Sequence, residues 1–529
     1  MVEDGIITAI GTIGDRIVEM EEIRMKIEIM DTTLREGEQT PSVAFSENEK
    51  LDVAKILLEE VKVDRIEVAS ARISKGEMDA VKLITGWCRE KGYLERVEVL
   101  GFVDGRITVD WMLEAGAKVL NLLCKGSLNH VANQLKKTAQ EHIADARFVI
   151  GYAREKGIKV NVYLEDWSNG IKHSPEYVFT MVEALKDENV ERFMLPDTLG
   201  ILSPEETLAF CGLMTRKYPG LHFDFHAHND YDFAVANSFM AVKAGVSGIH
   251  TTVNGLGERT GNTALSSIIG VINDHFRTGR ISADETKLNK ISKMVEAFSG
   301  IRIPSNKPIV GESVFTQTCG VHADGDNKGN LYFNDLMPER FGRFRKYALG
   351  KTSGKASISK NLEELGIDLD KDSIAKVTER IVELGDKKEN ITTEDLPYII
   401  SDVLGSKHIR EKIKIHNYYI SHAKDLRPVA ALSIEIEGEV YEQTATGDGQ
   451  YDAFMKALGE IYRRLGKTLP ALTDYIVTIP PGGKTNALVE TTITWKLDKE
   501  FKTRGLDSDQ TSSAIKATVK MLNLIEGGQ

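Results

Sequence analysis

The sequence predicts an α/β protein: a (β/α)8 TIM barrel, then a helical linker region, then a C-terminal duplicated α+β domain read as regulatory. Three observations carry this expectation. Eight short apolar stretches alternate with longer amphipathic ones between residues 26 and 277, the pattern of a closed parallel barrel. Polar and charged residues follow the ends of those stretches, where such barrels keep their chemistry. Two late segments, 413–466 and 474–528, repeat one order of strands followed by a helix.

In chain order the strands are expected at 26–31, 65–70, 96–102, 118–123, 159–165, 192–197, 222–228 and 248–254. Between them, EKLDVAKILLEE and DARFVIGYAREKG place apolar residues at helical spacing. The helix after the sixth strand has its own start signal: Ser203 as N-cap, Pro204 in the first helical position, Glu206 closing a capping box. No Gly-x-Gly-x-x-Gly follows the first strand, which weighs against a doubly wound dinucleotide-binding sheet. Residues 1–24 lack the basic start, apolar core and cleavage site of a signal peptide and read as a disordered N-terminal extension. The expected domains are therefore 1–24 extension, 25–295 catalytic barrel, 296–405 mostly helical linker, and 406–529 regulatory domain. Inside the linker, GVHADGDNKGNLY (320–332) reads locally as a cluster of Gly/Asp turns.

Composition narrows the function classes. Of 529 residues, 41% are hydrophobic and 28% charged, which suits an ordinary soluble protein. A net charge of −12 leaves no electrostatic footprint for nucleic acid. No apolar run approaches the roughly 20 residues of a membrane span. Cys88, Cys124, Cys211 and Cys319 are scattered, which argues against a zinc ribbon or disulfide framework and suits a reducing cytoplasm.

The first strand breaks abruptly into charge in MDTTLREGEQT (30–40), as an active-site lip would. In HFDFHAH the period of two sends Phe223, Phe225 and Ala227 to one face and Asp224, His226 and His228 to the other, toward the barrel interior. A histidine pair at i, i+2 on a strand suits a metal ion; Glu36 from the first strand end fits as the third ligand. Asn262, in GERTGNTA, would add a fourth contact, directly or through water. Two imidazoles and a carboxylate suit a divalent ion with open positions. The same set describes the facial triad of non-haem iron oxygenases, but those ligands belong on a jelly-roll barrel rather than on distant βα units. Arg35, Glu165 and Thr198 bring further polar groups to other strand ends. Together they make a site able to chelate an oxo-acid and offset negative charge on its oxygens.

DTTLREGEQ, FHAHNDYD, NGLGERTGN and GVHADG resemble the acyl-CoA-dependent Claisen condensing enzymes of the isopropylmalate, homocitrate and citramalate synthase family. The likeness runs from Met25 to the C-terminus. Within the family it is strongest to the Leptospira-type, pyruvate-using branch, through VDRIEVASARISKGE, LGFVDG, YLEDWSNG, LPDTLG and IPPGGKTNALVET. The resemblance implies an acyltransferase that condenses acetyl-CoA with pyruvate and hydrolyses the thioester to (R)-citramalate and CoA, toward isoleucine. Its alternative is the 2-oxoisovalerate reaction of leucine synthesis. It implies a divalent metal (Mn, Mg or Zn) on Glu36, His226, His228 and Asn262. Arg35 would stabilise the oxygen that turns negative, Thr198 would hold the substrate carboxylate, and Glu165 would be the base, assisted by His322 or Tyr332. Asp324, Asn330 and Leu331 would help seat acetyl-CoA. In the family that last segment reaches over the partner subunit's barrel, which implies a homodimer.

The pocket wall should choose the oxo-acid. Tyr163, where isopropylmalate synthases have a serine, together with Leu100 and Leu123, closes space that an isopropyl group would need and so favours pyruvate. One residue departs from the nearest pattern, with a bearing on metal preference, and another weighs against homocitrate. Position 36 is Glu, as in homocitrate synthases, where the pyruvate-using and isopropylmalate enzymes have Asp. Asn161 stands where homocitrate synthases place an arginine for a second carboxylate, and an amide is a poor substitute. For the tail, the duplication and the GDGQYDAF and PPGGKTNA turns predict a branched-chain amino acid effector, isoleucine before leucine, its carboxylate received by backbone amides.

Overall fold

The computed structural model describes residues 26–276, 281–326, 328–329, 331–365, 367–386, 391, 393–404, 412–478, 489–498 and 500–526. The extension expected over 1–24, the PPGGKTNA turn and Asn330 lie outside them. The chain divides into two compact units: one runs to Phe315 and takes in Asn334–Phe344, the other holds Thr316–Phe333 and the residues from Arg345 onward.

In the first unit, eight parallel strands close into a barrel in sequence order. They are β1 Glu28–Asp31, β2 Arg65–Ser70, β3 Val97–Phe102, β4 Val119–Lys125, β5 Lys159–Glu165, β6 Val190–Asp197, β7 Phe223–Ala227 and β8 Gly248–Thr251. The ring shuts where β1 pairs with β8, from Glu28 opposite Gly248 to Asp31 opposite Thr251. Alternation along each strand explains why these sequences close. Val99, Leu120, Leu122, Val162, Phe223 and Phe225 face outward into one continuous apolar core with the helices. Met30, Leu100, Tyr163 and Met194 form a separate small cluster with Leu123 packed against it. Threaded among them are buried polar side chains, including Arg65, Glu67, Glu98, Asn121 and Asp224. The outer face thus supplies the apolar burial, and the inner face is left for ionic networks and chemistry.

The helix over Pro204–Lys217 starts as its sequence signals. Ser203 Oγ accepts from the Glu206 amide at 3.2 Å, and the Glu206 carboxylate accepts from the Ser203 amide at 3.0 Å. Reciprocal pairs of the same kind open the helices at Glu47–Lys55 and Ala139–Glu155. The strand ends differ modestly from expectation. β4 runs on to Lys125, while β8 stops at Thr251 and gives way to a short turn of helix at Val253–Gly255.

The second unit carries the linker helices Lys355–Glu364, Lys371–Asp386 and Leu396–Leu404 around Ile358, Leu362, Val377, Ile381 and Leu396. The stretch before them is less helical than its charge pattern suggests. Residues 301–315 run as turns and irregular chain, and Thr316–Gln317 (β9) pairs in parallel with Lys346–Tyr347 (β10). Conversely, GVHADGD folds as a helix, Gly320–Asp326, and not as the turn cluster its glycines and aspartates suggest. Within the same segment the His322 and Tyr332 rings lie tilted at 31° with centroids 4.1 Å apart, and a Cβ on Gly325 would lie 2.4 Å from the Tyr332 ring. The tail is duplicated in three dimensions. Ile413–Ser421 (β11), Val429–Ile436 (β12) and Glu439–Thr446 (β13) form one antiparallel sheet, followed by the helix Gln450–Arg464. Ala471–Thr478 (β14), Val489–Lys496 (β15) and Glu500–Asp507 (β16) form another, followed by Gln510–Glu526. Even an irregularity recurs, with a register shift at Ile415/Asn417 in the first strand of one half and at Leu472/Asp474 in that of the other. Among the described residues no helix is long and apolar enough to cross a membrane, and the four cysteines are free.

Candidate active site

β1 ends at Asp31 and turns directly into Thr32–Gly37, while β7 delivers His226 from its inner face and His228 from just beyond its end. Period two along β7 therefore places both imidazoles at the mouth that β1 also reaches. Among the described residues, Glu36, His226 and His228 are a buried group whose ligand atoms all lie within 4.8 Å of one another. His228 Nε2 is 3.7 Å from Glu36 Oε1, and His226 Nε2 is 3.9 Å from Glu36 Oε2. Asn262 reaches the same group, its side-chain amide 3.1 Å from His226 Nε2. Room for it depends on Gly257, whose φ is +148° and where a Cβ would fall 1.9 Å from Asn262 Oδ1.

Three buried polar atoms here have no hydrogen-bond partner: Glu36 Oε1, His228 Nδ1 and Asn262 Oδ1. Burying such atoms unpaired is costly, and a cation held by this donor set would relieve Glu36 directly. Burial holds His226 well below the usual imidazole range, with His228 and His250 adding to it, and burial lowers His228 as well. Both rings are therefore neutral and able to ligate. Two imidazole nitrogens and a carboxylate fit a divalent cation, with the Asn262 side-chain amide beside them.

Arg35 lies against this group. Its Nε donates to Glu67 at 2.6 Å, Nη1 pairs with Glu36, and Nη2 donates to the Tyr163 hydroxyl at 3.4 Å. Burial works against its charge, but Glu67 and Glu36 beside it raise its pKa above the ordinary arginine value. Glu67 is itself fixed by Asn121 at 2.7 Å and by the Thr32 hydroxyl at 2.7 Å. Asp31 caps the Thr33 amide at 3.0 Å, and burial pushes its carboxyl up to about 6.

Tyr163, Leu100 and Leu123 come together on the inner wall with Met30 and Met194. Asn161 is buried below Tyr163 on β5, donating to Asn121 at 2.8 Å. Glu165 at the end of β5 pairs with Lys125, its register neighbour on β4. Thr198 Oγ accepts from the Asp166 amide at 2.9 Å, leaving its hydroxyl hydrogen free to donate. His322, Asp324, Leu331 and Tyr332 belong to the second unit, where His322 Nδ1 is 3.1 Å from Gln317 and Asp324 is paired with Lys328.

Several site neighbours are absent from the sequence reading. His250 lies at the centre of the inner network: Nδ1 is 2.9 Å from the Tyr163 hydroxyl and Nε2 is 3.0 Å from Asp224. Burial alone would raise Asp224, but Arg65 at 2.6 Å, with His222 and His250, holds it well below the carboxylate range. Glu67, Asn121 and Lys125 are the others. The signal was present for most of them, since each is a polar residue at an inward position of an apolar strand: RIEVAS, VLNLLCK, GIHT.

The fold and this donor set define a (β/α)8-barrel enzyme with two histidines and one carboxylate gathered at the strand mouths, in a grouping that could hold a metal ion. The profile of the HMGL-like family matches residues 26–295, a homocitrate synthase post-HMGL domain profile matches 309–389, and a LeuA allosteric (dimerisation) domain profile matches 390–526. An (R)-citramalate synthase of Methanocaldococcus jannaschii is 31% identical over 505 residues, covering 95% of this chain and all (100%) of that one. A 2-isopropylmalate synthase of the same organism is 31% identical, covering 94% of this chain and 95% of that one. A Methanopyrus kandleri protein provisionally named as a citramalate synthase is 36% identical, covering 82% of this chain and 83% of its own. The chain belongs to the HMGL-like family, among the citramalate and isopropylmalate synthases, and is an enzyme of their acyltransferase type.

Proposed function

We propose that the chain condenses acetyl-CoA with pyruvate and hydrolyses the thioester, giving (R)-citramalate and CoA. The observation that carries the choice of oxo-acid is Tyr163, 3% exposed and locked to His250 and Arg35 on the inner wall, with Leu100 and Leu123 beside it. Bulky side chains gathered on that wall favour an oxo-acid carrying a methyl group over one carrying an isopropyl group.

A divalent cation held by Glu36, His226 and His228, with Asn262 beside them, would supply Lewis-acid polarisation of the oxo-acid carbonyl. The other groups belong to the chain. Arg35 directs a guanidinium toward the oxygen that gains charge as the carbon–carbon bond forms, and Glu67 and Asn121 keep it from swinging away. Thr198 donates its hydroxyl hydrogen to the oxo-acid carboxylate. Glu165 takes the methyl proton of acetyl-CoA, with Lys125 fixing the orientation of its carboxylate. His322 and Tyr332 are assigned an assisting role in that proton transfer, and Asp324, Asn330 and Leu331 a role in seating acetyl-CoA. The chain acts as a homodimer in the cytoplasm, with isoleucine as the effector of the duplicated tail.

The second reading is 2-isopropylmalate synthesis from 2-oxoisovalerate, favoured by the equal 31% identity to the enzyme so named. Release of CoA thiol with each oxo-acid, with and without a chelator, separates the two. Chelator-sensitive turnover with pyruvate and little with 2-oxoisovalerate is expected; the reverse preference would overturn the reading of the wall.

A further inference from the structure

Beneath the cation site runs a line of hydrogen bonds whose polarity can be worked out from its fixed end. Asp224 Oδ2 is 2.6 Å from Arg65 and its Oδ1 is 2.9 Å from His222 Nε2, so the carboxylate, paired with a guanidinium, offers only acceptors. His250 Nε2, 3.0 Å from Oδ2, must therefore carry the proton. That leaves His250 Nδ1 as a lone-pair acceptor, and two groups point at it: the Tyr163 hydroxyl at 2.9 Å and His226 Nδ1 at 3.3 Å. His226 is then protonated at Nδ1, and its Nε2 lone pair is left facing Glu36 and Asn262. The rings are held for this by edge-on packing: His250 against Tyr163 at 5.5 Å and against His226 at 5.4 Å between centroids.

We propose that His250 is a positioning residue that sets two things at once: the tautomer in which His226 presents Nε2 to the cation, and the direction of the Tyr163 hydroxyl that closes the oxo-acid pocket. The inference rests on the cation reading of Glu36, His226 and His228. It ties the metal site to the specificity wall through one imidazole. With its hydrogen committed to His250, the Tyr163 oxygen turns lone pairs toward Arg35, which donates to it at 3.4 Å. The opposite polarity has a definite consequence: a His250 carrying a proton on Nδ1 would force His226 to accept there, place its hydrogen on Nε2, and so block the ligand position. Outer-shell partners of ligating histidines commonly fix the tautomer and orientation of the ring.

The test begins with the full-length, metal-free protein carrying 15N-labelled histidine. Its 12 histidines are resolved by tautomer-sensitive imidazole shifts and assigned by the spectra of H226N and H250Q. The expected result is His226 protonated at Nδ1 and His250 at Nε2. A hydrogen on His226 Nε2 would overturn the proposal without any variant having to fold. Titration of the same protein with Mn2+ gives the second readout. H250Q can still donate to Asp224 but leaves no acceptor at the position of Nδ1, which faces Tyr163 and His226, so the dissociation constant should rise about 10–100-fold. H250N keeps an acceptor and should recover part of that loss. Folded H250Q and H250N proteins that bind Mn2+ within about twofold of the parent would reduce His250 to packing. Absence of acetyl-CoA turnover with either oxo-acid would remove the proposed reaction and leave the tautomer assignment standing.

Discussion

On the proposed reaction, Tyr163 is the residue expected to set substrate choice: its ring is buried among apolar side chains and its hydroxyl is 2.9 Å from His250 Nδ1. Y163A should open the wall to a larger oxo-acid. At about 1–3 kcal/mol per methylene, the ratio of kcat/KM for 2-oxoisovalerate over pyruvate should rise 10-fold or more. Side-by-side thiol release checks it, and an unchanged ratio would remove Tyr163 as the gate. Gly257 is the second residue-scale case. G257A would place a Cβ where Asn262 Oδ1 now lies, at a φ of +148° that side chains rarely adopt. Asn262 should be displaced, and calorimetry with Mn2+ should show affinity down by about 10-fold, the lower end of what losing an outer partner costs. At this scale the meeting of Glu36, His226 and His228 was legible, because the two histidines follow from period two and Glu36 from a charge at a strand end. His250 was not. Its role depends on Asp224 and Arg65, which come from other strands and give no local mark of polarity.

At the scale of elements, the end of β4 shows how a strand can hold a site in place. The Lys125 amide donates to His142 Nε2 at 3.0 Å, from the helix Ala139–Glu155, and Lys125 in turn pairs with Glu165 on β5. That geometry needs an unprotonated His142 Nε2, and burial lowers its pKa to about 4. Between about pH 4 and 6.5 the unfolded chain therefore binds a proton that the folded chain does not. Stability from this group is complete above about pH 6.5 and is lost as pH falls toward 4, by at most about 3 kcal/mol. H142Q keeps an acceptor and does not titrate. Thermal melts across that window should show a steeper acid decline for the parent than for H142Q; parallel declines would count against the linkage. The eight strands themselves were legible to within a few residues, since alternation needs only neighbours in sequence. The helix Gly320–Asp326 was not, because its Gly and Asp content argues for turns, and the close His322–Tyr332 contact beside it is seen only once the segment is folded.

For the whole molecule, the duplicated tail and its match to a LeuA allosteric (dimerisation) profile lead to a joint expectation. Light scattering at assay concentration should give twice the 58.7 kDa chain mass, and millimolar isoleucine should lower turnover with pyruvate while leaving the Mn2+ affinity of the barrel unchanged. An active monomer would dismiss the dimer. Turnover and melting temperature both indifferent to isoleucine would dismiss the effector.

The sequence by itself determined the (β/α)8 barrel, its order of strands, the duplicated tail, and the mouth where Glu36, His226 and His228 meet. Those follow from periodicity and strand-end position, which are local properties of a chain. Only the tertiary structure decided which inward polar groups pair: Lys125 with Glu165, Arg35 with Glu67, and His250 with Asp224, Tyr163 and His226. Hydrogen-bond polarity runs through space from one strand to another. It is fixed when closure of the barrel brings those strands into register, and no single stretch of sequence records it.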